Sequence, residues 1–148
     1  MSTVAFALSM ALAFGHRTAT PDLACQAGLV SQAWDLLRLA HFGHEEEEHA
    51  AFIVRDANGA YLFVYWRYRH TARRASYEGV VPADAVAIIH NHPNSEPYPS
   101  ANDIQVAHAT GLTVYVVTRL SISRTSGESA RTVLFGDWNP ALHRAQCR

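Results

Sequence analysis

The stretch that most constrains this chain is residues 86–103, VAIIHNHPNSEPYPSAND, where an apolar run gives way to two histidines, a proline-rich loop and a helix-start pattern. Residues 85–89 are apolar and rich in β-branched side chains, which predicts a short buried strand. That strand delivers His90 and His92. Side chains two apart on a strand share a face, roughly 6.5 Å apart along it, so two imidazoles can converge on one ion through bonds of about 2.0–2.1 Å. Asn91 points the other way. Pro93 removes a ladder donor and ends the strand, and Pro97 and Pro99 stiffen the following loop. Ser100 is a good N-cap, which puts Asp103 in the first helical turn, where exposed amides and the helix dipole favour a carboxylate. The same Ser-x-x-Asp spacing is close to a capping box, whose carboxylate reaches back to the cap amide. Taken together, His-x-His, seven residues and Ser-x-x-Asp make a composite pattern that points to a metal site.

His90, His92, Ser100 and Asp103 resemble the JAMM motif of the MPN/JAB metallopeptidases, in which an upstream Glu precedes His-x-His, seven residues and Ser-x-x-Asp. The string HNHPNSEPYPSANDI also looks like the corresponding stretch of the RadC-like branch of that fold. The resemblance runs from about residue 48 to residue 123. It implies an α/β (α+β) fold, with a mixed β-sheet flanked by helices in a deaminase-like single domain. It implies one zinc per chain held by His90, His92 and Asp103, with a water in the fourth position. Ser100 would help hold that water or the oxyanion formed from a substrate carbonyl. The family's general base is a glutamate at the start of an earlier strand. Glu48 fits, because EHAAFI opens a strand at the matching offset from the following turn; Glu46 and Glu47 are the neighbouring alternatives. Three protein ligands and an open position are the arrangement of a catalytic zinc. The implied activity is that of a JAMM-type zinc metallopeptidase, hydrolysing a peptide or isopeptide bond in a peptide or protein substrate, a ubiquitin-like conjugate among the candidates. The stretch between Asp103 and Gly111 is too short for the insertion with which ubiquitin-chain-specific members grip substrate.

Length and composition narrow the field. A chain of 148 residues is expected to form one domain with a sizeable core, assigned here to residues 21–148. Net charge is −1 and charged residues make up 17%, which argues against a nucleic-acid track and weakens a RadC-like, DNA-associated alternative. A catalytically inactive MPN-type scaffold is the other alternative, and the full ligand set argues against it. All 12 basic residues are Arg, so Schiff-base and phosphate-loop lysine chemistry are excluded. Cys25 and Cys147 make no metal clasp; a single bridge between them is open to an exported protein.

Residues 4–13 are apolar but too short to span a bilayer. They read either as the h-region of a signal peptide, with Ala11-Leu12-Ala13 as a cleavage pattern ahead of Phe14, or as an N-terminal extension within residues 1–20; export and cytoplasmic residence both stay open. Pro21-Asp22 reads as a helix start, and residues 23–40 carry Leu29, Ala33, Leu36, Leu37 and Ala40 at helical spacing, with Trp34 joining that face. After four glutamates at 45–48, residues 50–54 and 61–68 read as strands of a hairpin turning at Asp56-Ala57-Asn58-Gly59. Residues 65–74, YWRYRHTARR, have the aromatic-basic texture of an exposed strand running into a loop. Residues 76–81 form another short extended piece. A helix from Ser100 stops at Gly111 with His108 off the ligand set, and strands follow at 112–118 and 131–135. Residues 119–124 either extend the sheet or turn before it.

Overall fold

The computed structural model describes residues 5–6, 20–67 and 71–140. The expectations for the cleavage pattern at residues 11–14 and for Cys147 lie outside these residues, as does the end of the strand predicted to reach Tyr68.

In chain order the described elements are β1 (Ala5–Phe6), a 3-10 turn (Leu23–Cys25), α1 (Ala27–Leu39), β2 (Ala50–Arg55), β3 (Tyr61–Tyr65), β4 (Ser76–Tyr77), β5 (Ala85–Asn91), α2 (Ala101–Thr110), β6 (Thr113–Val117), β7 (Ser121–Thr125) and β8 (Ala130–Phe135). Among them, six strands form one mixed sheet in the order β3-β2-β5-β6-β7-β8, and β1 pairs with β4 in a separate two-stranded ladder. Only β5 and β6 run parallel within the six-stranded sheet, joined by α2 as the crossover; its other neighbours are antiparallel. The result is the mixed α/β architecture expected from the sequence.

The period-2 rule assigns the sheet's two faces. On one, Ala51, Ile53, Ala87, Ile89, Tyr115 and Val117 pack against Leu29, Val30, Ala33, Leu36 and Leu37 of α1. Complete burial of Leu36 and Leu37 contributes about 1.5–3 kcal/mol each. Trp34 packs edge-on against Phe42 and Trp138, with ring centroids 5.4 and 5.0 Å away, which seals the end of this core. On the other face, Phe52, Ile88 and Val114 pack against Val106 and Ala107 of α2, and against Trp66 and Ala75.

Two local expectations are corrected and one open alternative is resolved. The first helix begins at Ala27, because Gln26 is extended (φ −121°, ψ 95°) and separates α1 from the turn that buries Leu23. β3 ends at Tyr65, with one further ladder bond from the Trp66 amide to Ala50 O at 2.8 Å; the Trp66 ring lies in the core beside Phe52 and Tyr77, with centroids 5.2 and 5.4 Å away. Residues 119–120 turn and β7 begins at Ser121, where Thr118 Oγ1 receives the amides of Leu120 and Ser121 at 3.2 and 3.0 Å. Gly111 ends α2 in the left-handed region (φ 61°), as its place after the last helical residue predicts.

Candidate metal centre

β5 extends through Asn91, and His90 and Asn91 pair in register with Val116 and Val117 of β6. His92, just beyond, is held by its amide donating to Val117 O at 3.1 Å. Both histidines follow Ile88 in the alternation and face α2. The proline-rich loop then returns the chain to Ser100, where α2 starts.

The capping box is present: Ser100 Oγ accepts from the Asp103 amide at 3.2 Å, while Asp103 Oδ2 accepts from the Ser100 amide at 2.6 Å and from its hydroxyl at 2.7 Å. The cap and the cluster coexist. Asp103 Oδ2 also lies 3.4 Å from His92 Nε2, and Oδ1 lies 3.3 Å from His90 Nε2. The helix cap therefore sets the orientation of the carboxylate that meets the two imidazoles.

All three side chains are buried, and their ligand atoms lie within 4.8 Å of one another. His92 Nδ1 faces the Glu96 carbonyl at 3.1 Å. A carbonyl only accepts, so Nδ1 carries the proton and Nε2 keeps its lone pair, the tautomer a metal-binding histidine needs. His90 Nε2, His92 Nε2 and Asp103 Oδ1 make no hydrogen bond among the described residues. Leaving such groups unpaired in the interior costs about 1–3 kcal/mol each, more for a charge. A divalent cation would satisfy all three. The 3.3 Å between His90 Nε2 and Asp103 Oδ1 matches the edge of a tetrahedron with bonds of about 2.0–2.1 Å, which is roughly 3.3–3.4 Å. His90, His92 and Asp103 thus form a group that can hold a metal ion.

Electrostatics point the same way. Burial, opposed by Asp103 and reinforced by His92, lowers the His90 pKa to about 4, so the ring is neutral near pH 7. Burial alone would raise the Asp103 carboxyl; the neighbouring His90 and His92 rings and the hydrogen bonds from Ser100 outweigh it and hold Asp103 well below the usual carboxylate range. A neutral His90 imidazole and an ionised Asp103 carboxylate are in the protonation states that bind a metal.

Glu48 lies two residues before β2. Ala50 pairs with His90, so continuing the antiparallel register by two residues sets Glu48 across from His92. Glu48 is 1% exposed, and its Oε2 accepts from the Ala75 amide at 3.1 Å. The neighbouring glutamates have other surroundings. Glu46 is exposed and ion-paired with Arg73, and the Glu47 carboxylate lies 3.5 Å from His49 Nε2. His108 is on an exposed face of α2, away from the cluster.

Several supporting groups escaped the sequence reading. Asn91 is buried on the opposite face, with Oδ1 accepting from the His49 amide at 2.7 Å and Nδ2 donating to Glu47 O at 2.8 Å. Ser123 Oγ donates to Pro97 O and ties the loop to β7. These partners lie 26 to 44 residues apart, and no local pattern announces them.

The family model described as prokaryotic homologs of the JAB domain matches residues 30–133. No curated protein matches the chain significantly. The matched stretch takes in most of α1, five strands of the six-stranded sheet and the first part of β8, Glu48 and the buried cluster, and on that match the chain belongs to the family of prokaryotic homologs of the JAB domain.

Proposed function

We propose that the protein is a zinc-dependent hydrolase of peptide or isopeptide bonds, with His90, His92 and Asp103 as metal ligands and Glu48 as general base. The buried His90–His92–Asp103 cluster carries this reading, because its facing donor atoms are matched to a metal and lack protein hydrogen bonds among the described residues. Zinc held there would supply Lewis acidity, bringing the pKa of water to about 7.

The chain's own groups divide the remaining work. Glu48, on the histidine side of the sheet, takes a proton from the attacking water and returns it to the leaving amine. Burial of Glu48, with its Oε2 held by the Ala75 amide, limits competition from bulk water for that carboxylate. Ser100 holds Asp103 through its hydroxyl, and by turning that hydroxyl toward the substrate it would donate to the developing oxyanion. The substrate class is a peptide or protein, with a ubiquitin-like conjugate among the candidates. α2 runs directly from Ser100 to its glycine stop, with no insertion to grip a ubiquitin chain.

The test is zinc per chain, by elemental analysis of protein purified without an affinity tag, for wild type beside His90→Ala. One zinc in wild type and none in the variant is expected. Absence of zinc from fresh wild type and after reconstitution would refute the assignment and leave Ser100 and Asp103 as a helix cap.

A further inference from the structure

Ala50 is the first residue of β2, so residues 47–49 precede the regular ladder with β5. Asn91 N still donates to His49 O at 3.2 Å, as a continuing ladder requires. The reciprocal bond is different: the His49 amide goes to the Asn91 side-chain oxygen at 2.7 Å. The same side chain donates through Nδ2 to Glu47 O at 2.8 Å. One buried amide therefore grips the backbone immediately before and immediately after Glu48, where the chain is leaving the sheet.

We propose that Asn91 is a positioning residue for Glu48, fixing the carboxylate against the metal-ligand pair because Asn91 sits between His90 and His92 on the same strand. A strand residue between two inward-facing histidines must point outward. Here the outward side chain reaches the neighbouring strand's entry, so two imidazoles and the base share one rigid frame. An amide suits the place, having a donor for a carbonyl and an acceptor for an amide in one planar group. A serine hydroxyl also donates and accepts, but its single oxygen lies closer to the backbone and cannot span both partners as the amide's separate oxygen and nitrogen do; an alanine offers neither. The inference rests on the reading of Glu48 as general base.

The experiment compares wild type, Asn91→Ala, Asn91→Ser and Glu48→Gln by three readouts: Co(II) titration of the metal-free protein, amide hydrogen exchange at His49, and cleavage of an internally quenched mixed-sequence peptide library. Co(II) affinity within tenfold of wild type, at least tenfold faster His49 exchange and a ten- to hundredfold loss of cleavage in Asn91→Ala are expected, with Asn91→Ser intermediate. If Asn91→Ala fails to fold, Asn91→Ser carries the same comparison. Wild-type cleavage or unchanged His49 exchange in the Asn91 variants overturns the proposal. So does a loss of Co(II) affinity beyond tenfold, which would make Asn91 a support of the ligands themselves. Glu48→Gln cleaving at the wild-type rate would overturn the base assignment and this proposal with it. An inactive Glu48→Gln beside a fully active Asn91→Ala would overturn this proposal alone.

Discussion

His41, Glu45 and Glu47 bring three donor atoms within 4.8 Å of one another, as His90, His92 and Asp103 do. The two groups use the same kinds of side chain at the same proximity, and they differ in nearly everything else. His41 and Glu45 have side chains 60% and 56% exposed, and their closest approach is 3.9 Å. His90 and Asp103 are fully buried at 3.3 Å, with Asp103 aligned by a helix cap and His92 locked in one tautomer by a carbonyl. Proximity of donors is therefore a poor criterion for a metal site. What separates the groups is that water can satisfy the exposed donors at no cost, whereas His90 Nε2, His92 Nε2 and Asp103 Oδ1 have lost water and have no hydrogen bond among the described residues in its place.

The largest effect expected from this contrast is at Asp103. Asp103→Ala removes a ligand and the carboxylate half of the capping box, leaving Ser100 Oγ on the backbone amide of residue 103, so it should abolish stoichiometric zinc and hydrolysis and loosen the start of α2. Glu45→Gln in the exposed group should leave one zinc per chain. Zinc loss in Glu45→Gln, measured alongside, would break the contrast. Next is Glu48→Gln, which should keep the metal while hydrolysis falls by roughly 10²–10⁴-fold, the span of a lost general base. An active variant would move the base elsewhere.

A third effect is on stability against acid. The folded His90 pKa is about 4, below the ordinary 6.5, so the unfolded chain takes up a proton that the folded chain refuses. Metal-free protein should thus hold this stability above pH 6.5, lose it as pH falls from 6.5 toward 4, and lose no more from His90 below that. The loss is on the order of 3 kcal/mol. Asp103, held low, acts in the same direction further into acid, through the carboxylate range and below. Urea midpoints of chelated protein between pH 7.5 and pH 4 measure this, and His90→Gln should flatten the upper part of the curve. The smallest effect belongs to Glu45→Gln, which should change stability by less than about 0.5 kcal/mol, as for exposed substitutions generally.

The motif half of the site was legible because it is local. His90, His92, Ser100 and Asp103 depend on one strand's alternation and one helix cap, both governed by spacing along the chain. Glu48 was harder to distinguish from Glu46 and Glu47, since the choice depends on the Ala50–His90 register, a fact about two strands some 40 residues apart. Asn91 could be assigned a direction but no partner. The helical period of α1 was clear in its stripe, yet its first turn was misjudged: Leu23 continues the apolar pattern while the backbone at Gln26 interrupts the helix. Tyr65 and Trp66 look like one strand in sequence; the Trp66 amide does continue the ladder to Ala50 O at 2.8 Å, and its ring packs on Phe52 and Tyr77 just past the assigned end of β3.

The parallel pairing of β5 and β6 through α2 has a consequence for the order in which the molecule can be assembled. A crossover must be closed before its strands can pair, and here the ligand-bearing residues all lie at its opening, within one short loop of each other. Loop-closure entropy grows with the logarithm of loop length, so this unit is cheaper to close than the long connection that brings in residues 47–49. A β5–α2–β6 unit can therefore gather its imidazoles and carboxylate while the β2–β3 hairpin is still undocked. An ion captured at that moment would stabilise the crossover by mass action. It would act first as a template for folding and only later, once the hairpin arrives with Glu48, as part of a reaction centre.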